Sequence, residues 1–458
     1  MLLAAYSRAH FRELFRLAEL LDKSPGFSCT FYFGRRYELI DLDLDSCRNL
    51  GFGILPESVE EPERRTTEGE FATQTKAVWR WLPSGAKELL KAIAYRRDYR
   101  RRLESLDAMV GAHGADVIVL PEDNVASDTS LLIRAGHRNG IPSLIVPFTI
   151  AGPLEALEAL WDVREHQMDY RLNRVIGWLF PEWVRCHRGR RLLRLPGCRV
   201  LSQKLSGFAP SDPWVPNDGC ADAIAVESKR LLACNLNCGL KPGRMRITGT
   251  PVDDVLADGL RKREALRAQT MNDYGLDPTR RVIVSALPPN QLIGFGRPVC
   301  EFKSYDALVA FWVATLRAAE GFNTILCPHP RVNPQEYRHL ESDTVRISRS
   351  EAAREIPICD LYVASISSTI RWAVACGKPV INYDVYLYRY DDFETPGTVT
   401  VESREAFQSA VQQMTGEPDA LLELTKKQQG VMGEWANLDG KAVSRLEALI
   451  RELATCRE

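Results

Sequence analysis

Short apolar runs alternate with stretches of helical periodicity along most of the chain. An apolar run at residues 2–6 is followed by residues 8–21, whose apolar positions recur at the spacing of a helix. Further elements are predicted in the first half as strands at 27–33, 116–120, 142–147 and 223–226 and a helix at 130–138. Strands that alternate with helices are typical of α/β units built on a parallel sheet.

The second half repeats the alternation. Its strands are predicted at 281–287, 323–327, 344–347, 361–364 and 379–383, with a helix at 304–320. Because 458 residues exceed one ordinary hydrophobic core, we predict two Rossmann-like, doubly wound α/β domains facing a cleft. We assign residues 1–255 and 278–458 to them, with the hinge in the charged segment 255–278. The helices after about residue 403 are assigned to the second domain and are expected to pack back toward the first.

Residues 161–215 interrupt the pattern. Helical periodicity continues to about Trp183, and an arginine-rich run follows at residues 185–194. Such a run is ordinarily the solvated face of a helix. Because Trp178 and Leu179 stand beside it, contact of residues 178–194 with an anionic membrane surface is the alternative interpretation.

Composition excludes several classes of function. The net charge is −1 and no nucleic-acid-binding motif is present, so no nucleic-acid partner is expected. The twelve cysteines are scattered, and Cys234 and Cys238 lack a second pair to complete a zinc site, so we expect neither a metal nor another cofactor. Free thiols, a short apolar start and no run of about 18 apolar residues predict a cytoplasmic protein, placed at the inner face of the membrane if residues 178–194 contact it.

Two short motifs follow predicted strands in the second half. His329 and Arg331 come directly after the strand at 323–327, and Ser367, Ser368 and Thr369 follow the strand at 361–364. Ligands of an open parallel sheet bind outside the carboxyl ends of its strands. An imidazole, a guanidinium and several hydroxyls at that edge are suited to a phosphate.

Each motif also has a structural interpretation. The prolines around His329 hold it rigidly, as a proton donor to a leaving phosphate requires, but they are equally typical of a surface turn. One of the three hydroxyl residues is expected to cap a helix. A third strand-end loop, 288–291, offers Gln291 to a base, a sugar or a phosphate, on weaker grounds.

An acidic pair follows a buried strand of the first half. Glu122 and Asp123 stand after the apolar run 116–120, and mutual repulsion would raise the pKa of one of them towards that of a general base. The alternative interpretation is a polar turn that caps the next helix. Should neither carboxylate act as the base, His10 and Asp391 are the next candidates.

Taken together, these motifs resemble those of bacterial surface-polysaccharide transferases of the GT-B type that carry "HP" and "SS" motifs. This group includes sialyltransferases, capsule Kdo transferases and CDP-glycerol glycerophosphotransferases. The segment 246–253 is also similar to the strand and turn before the hinge in these families and in UDP-N-acetylglucosamine 2-epimerases. Asn124 stands where the sialyltransferase acidic pair is followed by glycine, which weakens the assignment of a sialyl donor.

The resemblance implies an inverting, metal-independent glycosyltransferase that moves a sugar, such as a Kdo-type or nonulosonic acid, from a nucleotide donor to a glycan or glycolipid of the capsule or lipopolysaccharide. It implies an acceptor-binding first domain with Glu122 or Asp123 as base. It also implies a donor-binding second domain, in which His329 assists the leaving phosphate that Ser367 and Ser368 hold. A CDP-glycerol-type glycerophosphotransferase and a nonhydrolysing UDP-sugar 2-epimerase are the alternatives. Such epimerases usually have a Gly-Gly-x-x-Glu-Glu-like turn where this chain has residues 367–371, which contain no carboxylate.

Overall fold

The computed structural model describes residues 1–34, 37, 40–55, 84–125, 127–147, 153–292, 300–329, 332–390 and 393–455. The chain divides into two compact units. The first contains residues 1–226, 232–248 and 443–458, and the second contains residues 227–231 and 249–442. The predicted hinge segment 255–278 lies in the second unit, mainly as helices, and the last helix of the chain lies in the first unit.

The first unit is a Rossmann-like domain with a seven-stranded parallel sheet in the order β3-β2-β1-β4-β5-β8-β9. Its strands are β1 (Leu2–Ala5), β2 (Thr30–Phe33), β3 (Gly53–Ile54), β4 (Ile118–Leu120), β5 (Ser143–Ile145), β8 (Ala223–Val226) and β9 (Met245–Ile247), and the separate hairpin is β6 (Val184–His187) and β7 (Arg190–Leu193). Its helices are α1 (Arg8–Leu21), α2 (Asp41–Asn49), α3 (Ser84–His113), α4 (Thr129–Arg138), α5 (Pro153–Leu160), α6 (Arg171–Leu179), α7 (Gly197–Ser206) and α8 (Lys229–Asn237), whose first turn belongs to the second unit. The last helix of the chain, α16 (Ala442–Thr455), packs on the hydrophobic core of this first unit.

Helix α1 forms where its apolar spacing predicts it. Ser7 caps it by accepting a hydrogen bond from the backbone N–H of His10, and Phe11, Leu14 and Leu17 face the sheet. Phe11 packs edge-on against Phe31 of β2, with 5.4 Å between the ring centroids. The amphipathic helix and the alternating strand therefore bury one shared face, which anchors this side of the sheet.

We had expected the arginine-rich run 185–194 to be the face of a helix, but it forms the β6–β7 hairpin. Arg188 and Gly189 both have positive φ, at 46° and 75°, which is the backbone of a two-residue hairpin turn. Arg185, Arg188 and Arg190 form ion pairs with Asp212, Glu158 and Asp162 respectively. The arginines of this run were read as a helix face, but they lie on two strands, and the turn at Arg188 and Gly189 makes the segment a hairpin.

The second unit is also Rossmann-like. Its parallel sheet has the order β12-β11-β10-β13-β14-β15, which is the 3-2-1-4-5-6 order of dinucleotide-binding folds. Its strands are β10 (Arg281–Ala286), β11 (Phe322–Cys327), β12 (Val345–Ile347), β13 (Leu361–Ala364), β14 (Val380–Tyr383) and β15 (Thr398–Val401). Its helices are α9 (Pro251–Arg261), α10 (Arg263–Tyr274), α11 (Tyr305–Arg317), α12 (Ala352–Glu355), α13 (Thr369–Ala375), α14 (Arg404–Gly416) and α15 (Pro418–Trp435).

A stack of aromatic rings fills the core of the second unit. Trp312 of α11 lies parallel to Tyr383 of β14, and Phe407 of α14 packs on both rings with centroids 4.8 Å away. The Trp312 indole N–H donates to the hydroxyl of Ser285 in β10 at 2.9 Å, so this buried polar group is satisfied. Two helices are thereby fixed on the sheet, which positions its strand ends.

The predicted fold class is confirmed, since both units are α/β domains with parallel, doubly wound sheets. Within the described ranges, no helix combines the length and the apolar character that crossing a bilayer requires. The same ranges contain no group of three metal-ligating side chains that could hold an ion.

A buried ion pair joins two helices of the second unit. Arg371 of α13 donates to Asp253 of α9 at 3.0 Å, and the side chains are 3% and 0% exposed. The second carboxylate oxygen of Asp253 accepts the backbone N–H of Thr250, which completes the N-terminal cap of α9. Glu227 lies within the field of this pair, and burial raises its pKa to about 7. Helix α13, which begins at the last of the three hydroxyl residues, is therefore held against α9.

Removing one partner of this pair leaves a buried charge without compensation. We expect Arg371→Met to lower the free energy of unfolding by about 3–5 kcal/mol, measured by urea denaturation. The exposed pair of Arg261 and Asp258 is the matched control, and Arg261→Ala should cost less than about 1 kcal/mol. Equal effects of the two substitutions would show that the buried pair does not hold α13.

Candidate functional site

Three loops of the second unit meet at one edge of its sheet. Strand β10 pairs in parallel with β11 on one side and with β13 on the other. The loops after these strands therefore leave the same edge, with their strand ends spaced roughly 5 Å apart. The order of the strands reverses between β10 and β13, which is where ligands bind in such sheets.

The turn between β13 and α13 is strained. Ile366 has φ of +42°, an uncommon backbone conformation for a β-branched residue. Its N–H donates to Oδ1 of Asn382, a buried residue of β14, at 2.9 Å. Ser365 before it is 3% exposed, and its hydroxyl oxygen has no hydrogen-bond partner among the described residues. Strain held by neighbouring contacts is a feature of functional turns.

The three hydroxyl residues form a short chain. The Thr369 hydroxyl bonds to the hydroxyl of Ser367 at 2.7 Å and to that of the buried Tyr362. Ser368 stands at the N-cap position of α13 but its side chain makes no capping hydrogen bond, whereas the hydroxyl of Ser367 accepts the Thr369 N–H at 3.3 Å. In the part of the chain that is described, no hydrogen bond engages the backbone N–H groups of Ser367 and Ser368 or the Ser368 hydroxyl. Successive N–H groups beside a left-handed residue form a concavity that accepts anions.

His329 is half-buried and stands two residues after β11. The end of that strand is fixed from beneath, because Cys327 Sγ donates to Glu355 at 3.4 Å. Glu355 is buried and also accepts from Tyr274 at 2.6 Å and from Ser350 at 3.0 Å. Burial raises the pKa of Glu355, against these hydrogen bonds. Arg331 lies outside the described residues.

The loop that carries Gln291 is fixed by two tyrosines. The hydroxyl of Tyr386 donates to the carbonyl of Pro289 at 2.6 Å, and that of Tyr305 donates to the carbonyl of Pro288 at 2.7 Å. Gln291 is half-buried, and its own N–H donates to Tyr386 at 3.4 Å. The structure thus brings this loop, His329 and the hydroxyl residues to one edge of one sheet.

Glu122 and Asp123 occupy the equivalent edge of the first unit, after β4. They have different surroundings: Glu122 is half-buried and accepts from the Asn124 side chain at 2.6 Å, whereas Asp123 is 4% exposed. The Asp123 carboxylate lies against Gly219, where even a Cβ atom would collide with it. The two carboxylates therefore do not act as an equivalent pair.

Burial, and not repulsion between Glu122 and Asp123, is the main cause of the raised pKa of Asp123. It raises the pKa of Asp123 to about 6, while backbone hydrogen bonds from Cys220 and Ala221 act in the opposite direction. We had expected the charge of Glu122 to raise the pKa of Asp123. The neighbouring negative charge that contributes to the raised pKa is instead that of Asp218. Sequence order gave no signal for this, because Asp218 is brought close only by the folding of the loop before β8.

The alternative bases differ in their surroundings. His10 is buried in the first turn of α1, where its Nδ1 accepts the Tyr6 N–H at 3.3 Å, and burial lowers its pKa to about 4. It is therefore neutral at physiological pH. Asp391 lies outside the described residues.

No protein-family model matches the chain, and no curated protein matches it either. Solved structures do. A UDP-GlcNAc 2-epimerase from Neisseria meningitidis bound to UDP-GlcNAc aligns with a TM-score of 0.54 at 12% identity, over 98% of this chain and 99% of its own. The glycotransferase of kitacinnamycin aligns with 0.54 at 13%, over 99% and 98%. A variant of the wall teichoic acid polymerase TagF aligns with 0.53 at 9%, over 99% and 88%.

Similarities at such identities establish the fold, and the chain has a GT-B-type fold. The transferases and the epimerase align equally well, so the similarity of fold is the same for both classes of enzyme.

Sequence patterns missed the residues that support the motifs. Asn382 is a single polar residue within an apolar strand, and this was the available signal for it. Ser365 and Ile366 had no signal, because strain and an unsatisfied hydroxyl follow from the path of the turn. Tyr274 lies 53 residues before Cys327 and Glu355 lies 28 residues after it, so sequence order did not connect either residue with this strand end.

The raised pKa of Asp123 makes a testable statement about stability. The protonated form is favoured in the folded chain, so the stability that it contributes is present below the ordinary pKa of 3.8 and is lost as pH rises through about 6. Asp123→Asn cannot ionise. Relative to the unmodified chain, it should gain about 2 kcal/mol in unfolding free energy between about pH 4.5 and pH 7.5.

The control for this experiment is Asp258→Asn. The exposed Asp258 has a lowered pKa because of Lys262, so its substitution should give a small change of the opposite sign. A pH-independent difference for Asp123→Asn would contradict the buried carboxylate.

Proposed function

We propose that the protein is a glycosyltransferase that moves a sugar from a nucleotide donor to a glycan or glycolipid acceptor with inversion of configuration. The observation that carries this proposal is the edge of the second sheet. There the N–H groups of Ser367 and Ser368 and the Ser368 hydroxyl, which have no hydrogen-bond partner among the described residues, lie at the same edge as His329. These groups are suited to the diphosphate or phosphate of a donor. The GT-B-type fold and the nucleotide ligands named for solved structures of this fold support it.

Each group has a role in the scheme. Ser367, Ser368 and Thr369 hold the phosphate, and Gln291 on the neighbouring loop contacts the nucleotide. His329 donates a proton or a hydrogen bond to the departing phosphate, and Arg331 adds positive charge. Asn382, which holds the strained turn at Ile366, and the buried Glu355 fix the two loops before the donor arrives, so little reorganisation is needed during transfer.

Glu122 is the better candidate for the base that deprotonates the acceptor hydroxyl. It is partly exposed, whereas the carboxylate of Asp123 is enclosed beneath Gly219. A general base must come within hydrogen-bond reach of the proton that it removes. Asp123 then supports the loop, since its own N–H donates to Asn217 at 2.8 Å. We infer the cell-surface acceptor from the motif resemblance and the cytoplasmic location from the scattered free thiols.

The 2-epimerase remains the second candidate because epimerases share the fold. The contacts of α13 favour transfer. Where epimerases of this type have a turn with two carboxylates, this chain has residues 367–371 without any, and Arg371 among them is buried in its ion pair with Asp253. A glycerophosphotransferase would use the same phosphate site, and the donor panel below distinguishes it.

The donor is identified by thermal unfolding with CMP-, UDP-, GDP- and CDP-linked sugars and CDP-glycerol. A donor at 100 times its dissociation constant should stabilise the fold by about 2.7 kcal/mol. Ser367→Ala with Ser368→Ala should weaken donor binding about tenfold to a hundredfold, because hydrogen bonds to a charged phosphate are lost. His329→Ala should instead lower kcat with a smaller effect on binding.

Ser444→Ala, at an exposed serine of α16, is the matched control and should change neither quantity. Unaltered donor binding in the double serine variant would exclude the phosphate site. Interconversion of a UDP-sugar without an acceptor would favour the epimerase.

Glu122→Gln tests the base. Donor affinity should remain near normal, while turnover falls by roughly 10²–10⁴-fold, the usual contribution of a general base. Asp123→Asn serves as the neighbouring control, with its main effect on stability. A rate loss confined to Asp123→Asn would transfer the role to that residue. Full activity in both variants, or a product with retained configuration, would contradict a carboxylate base on this loop.

A further inference from the structure

Helix α6 of the first unit carries two faces. Its inner face contains Leu172 and Ile176, which pack with Trp183 and Leu193 in a small hydrophobic cluster. Gly177 allows close contact there, since a Cβ atom would lie 2.7 Å from Met168 and 2.8 Å from Val184. The helix therefore has a complete buried face.

Asn173 fixes the rotation of this helix. Its side-chain oxygen accepts the Gly197 N–H at 2.9 Å, and its amide donates to the carbonyls of Glu165 and Gln167 at 2.9 and 2.8 Å. Asn173 is 3% exposed, so these three bonds are enclosed. The helix cannot turn its other side inward without breaking them.

The outer face is apolar where a solvated helix would be polar. Trp178 is 80% exposed, Val175 is 52% exposed and Leu179 is 50% exposed. With Arg171 and Arg174 they stand at the i, i+3, i+4, i+7 and i+8 positions of one helical face. A contiguous exposed apolar face of this kind marks an interaction surface.

The segment that carries this helix is rich in positive charge. Residues 161–206 contain ten Lys and Arg against four Asp and Glu, within a chain of net charge −1. Arg171 and Arg174 form no ion pair with any part of the chain that the structure describes, whereas Arg185, Arg188 and Arg190 of the hairpin are paired. Two unpaired guanidinium groups thus flank the exposed tryptophan.

We propose that the outer face of α6, formed by Arg171, Arg174, Val175, Trp178 and Leu179, docks the protein on a lipid bilayer that contains anionic headgroups. The apolar side chains would enter the boundary between headgroups and acyl chains, where tryptophan is favoured, and the arginines would contact lipid phosphates. Trp183 takes no part, because it is fully buried. The docking face is therefore centred on 171–179 and not on the arginine run that follows it. It does not depend on the transfer reaction.

Vesicle sedimentation of the full chain tests this surface. The protein should sediment with vesicles of phosphatidylcholine and phosphatidylglycerol but not with phosphatidylcholine alone, and high salt should weaken binding. Trp178→Ser with Leu179→Ser should raise the lipid concentration for half-binding about tenfold or more. Arg171→Ala with Arg174→Ala should have an effect on the order of tenfold and should remove most of the salt dependence.

The matched apolar control is Leu236→Ser with Leu422→Ser, which changes residues that are 41% and 51% exposed elsewhere. It should leave vesicle binding and the melting temperature unchanged. Equal sedimentation of the Trp178/Leu179 variant and the unmodified chain would overturn the proposal. The proposal would also be overturned if the unmodified chain did not bind vesicles and the Trp178/Leu179 variant had a different molecular mass in solution. That result would show that the face joins two copies of the chain.

Discussion

The parallel pairing of β10 with both β11 and β13 is the constraint on which the candidate donor site depends. Parallel strands end at one edge, so three loops far apart in sequence are delivered to a region about two strand spacings wide. The reversal of strand order at this point opens space between the loops, because the connecting helices lie on opposite faces. An imidazole and two serines separated by nearly forty residues thereby reach the same edge.

Buried polar groups then fix the loops at that edge. Glu355 holds the end of β11, Asn382 holds the strained turn at Ile366, and Asp253 with Arg371 holds α13. Removing such groups from water is costly, so each is satisfied by several hydrogen bonds. These contacts restrict motion without occupying the side chains that face a ligand.

The first unit has the same type of sheet but different groups at the equivalent edge. Its equivalent edge carries one enclosed carboxylate, Asp123, and one accessible carboxylate, Glu122, and its far segment presents an apolar helix face to solvent. The proposed glycolipid acceptor and the proposed docking surface for lipid are compatible with each other on one unit. They remain physically independent, since one depends on a loop after β4 and the other on the outer face of α6.

Local patterns were sufficient for the α/β class, for α1 and for most strands, because helical and strand periodicities reflect which face of each element is buried. They also located His329 and Ser367–Thr369 at strand ends, since a strand end is visible where an apolar run stops. Only the tertiary structure decided that 185–194 is a hairpin, that the division falls near Thr248, and that Asp123 is enclosed while Glu122 is not. These properties depend on contacts between residues far apart in the chain, and burial and pKa follow from such contacts and not from local order.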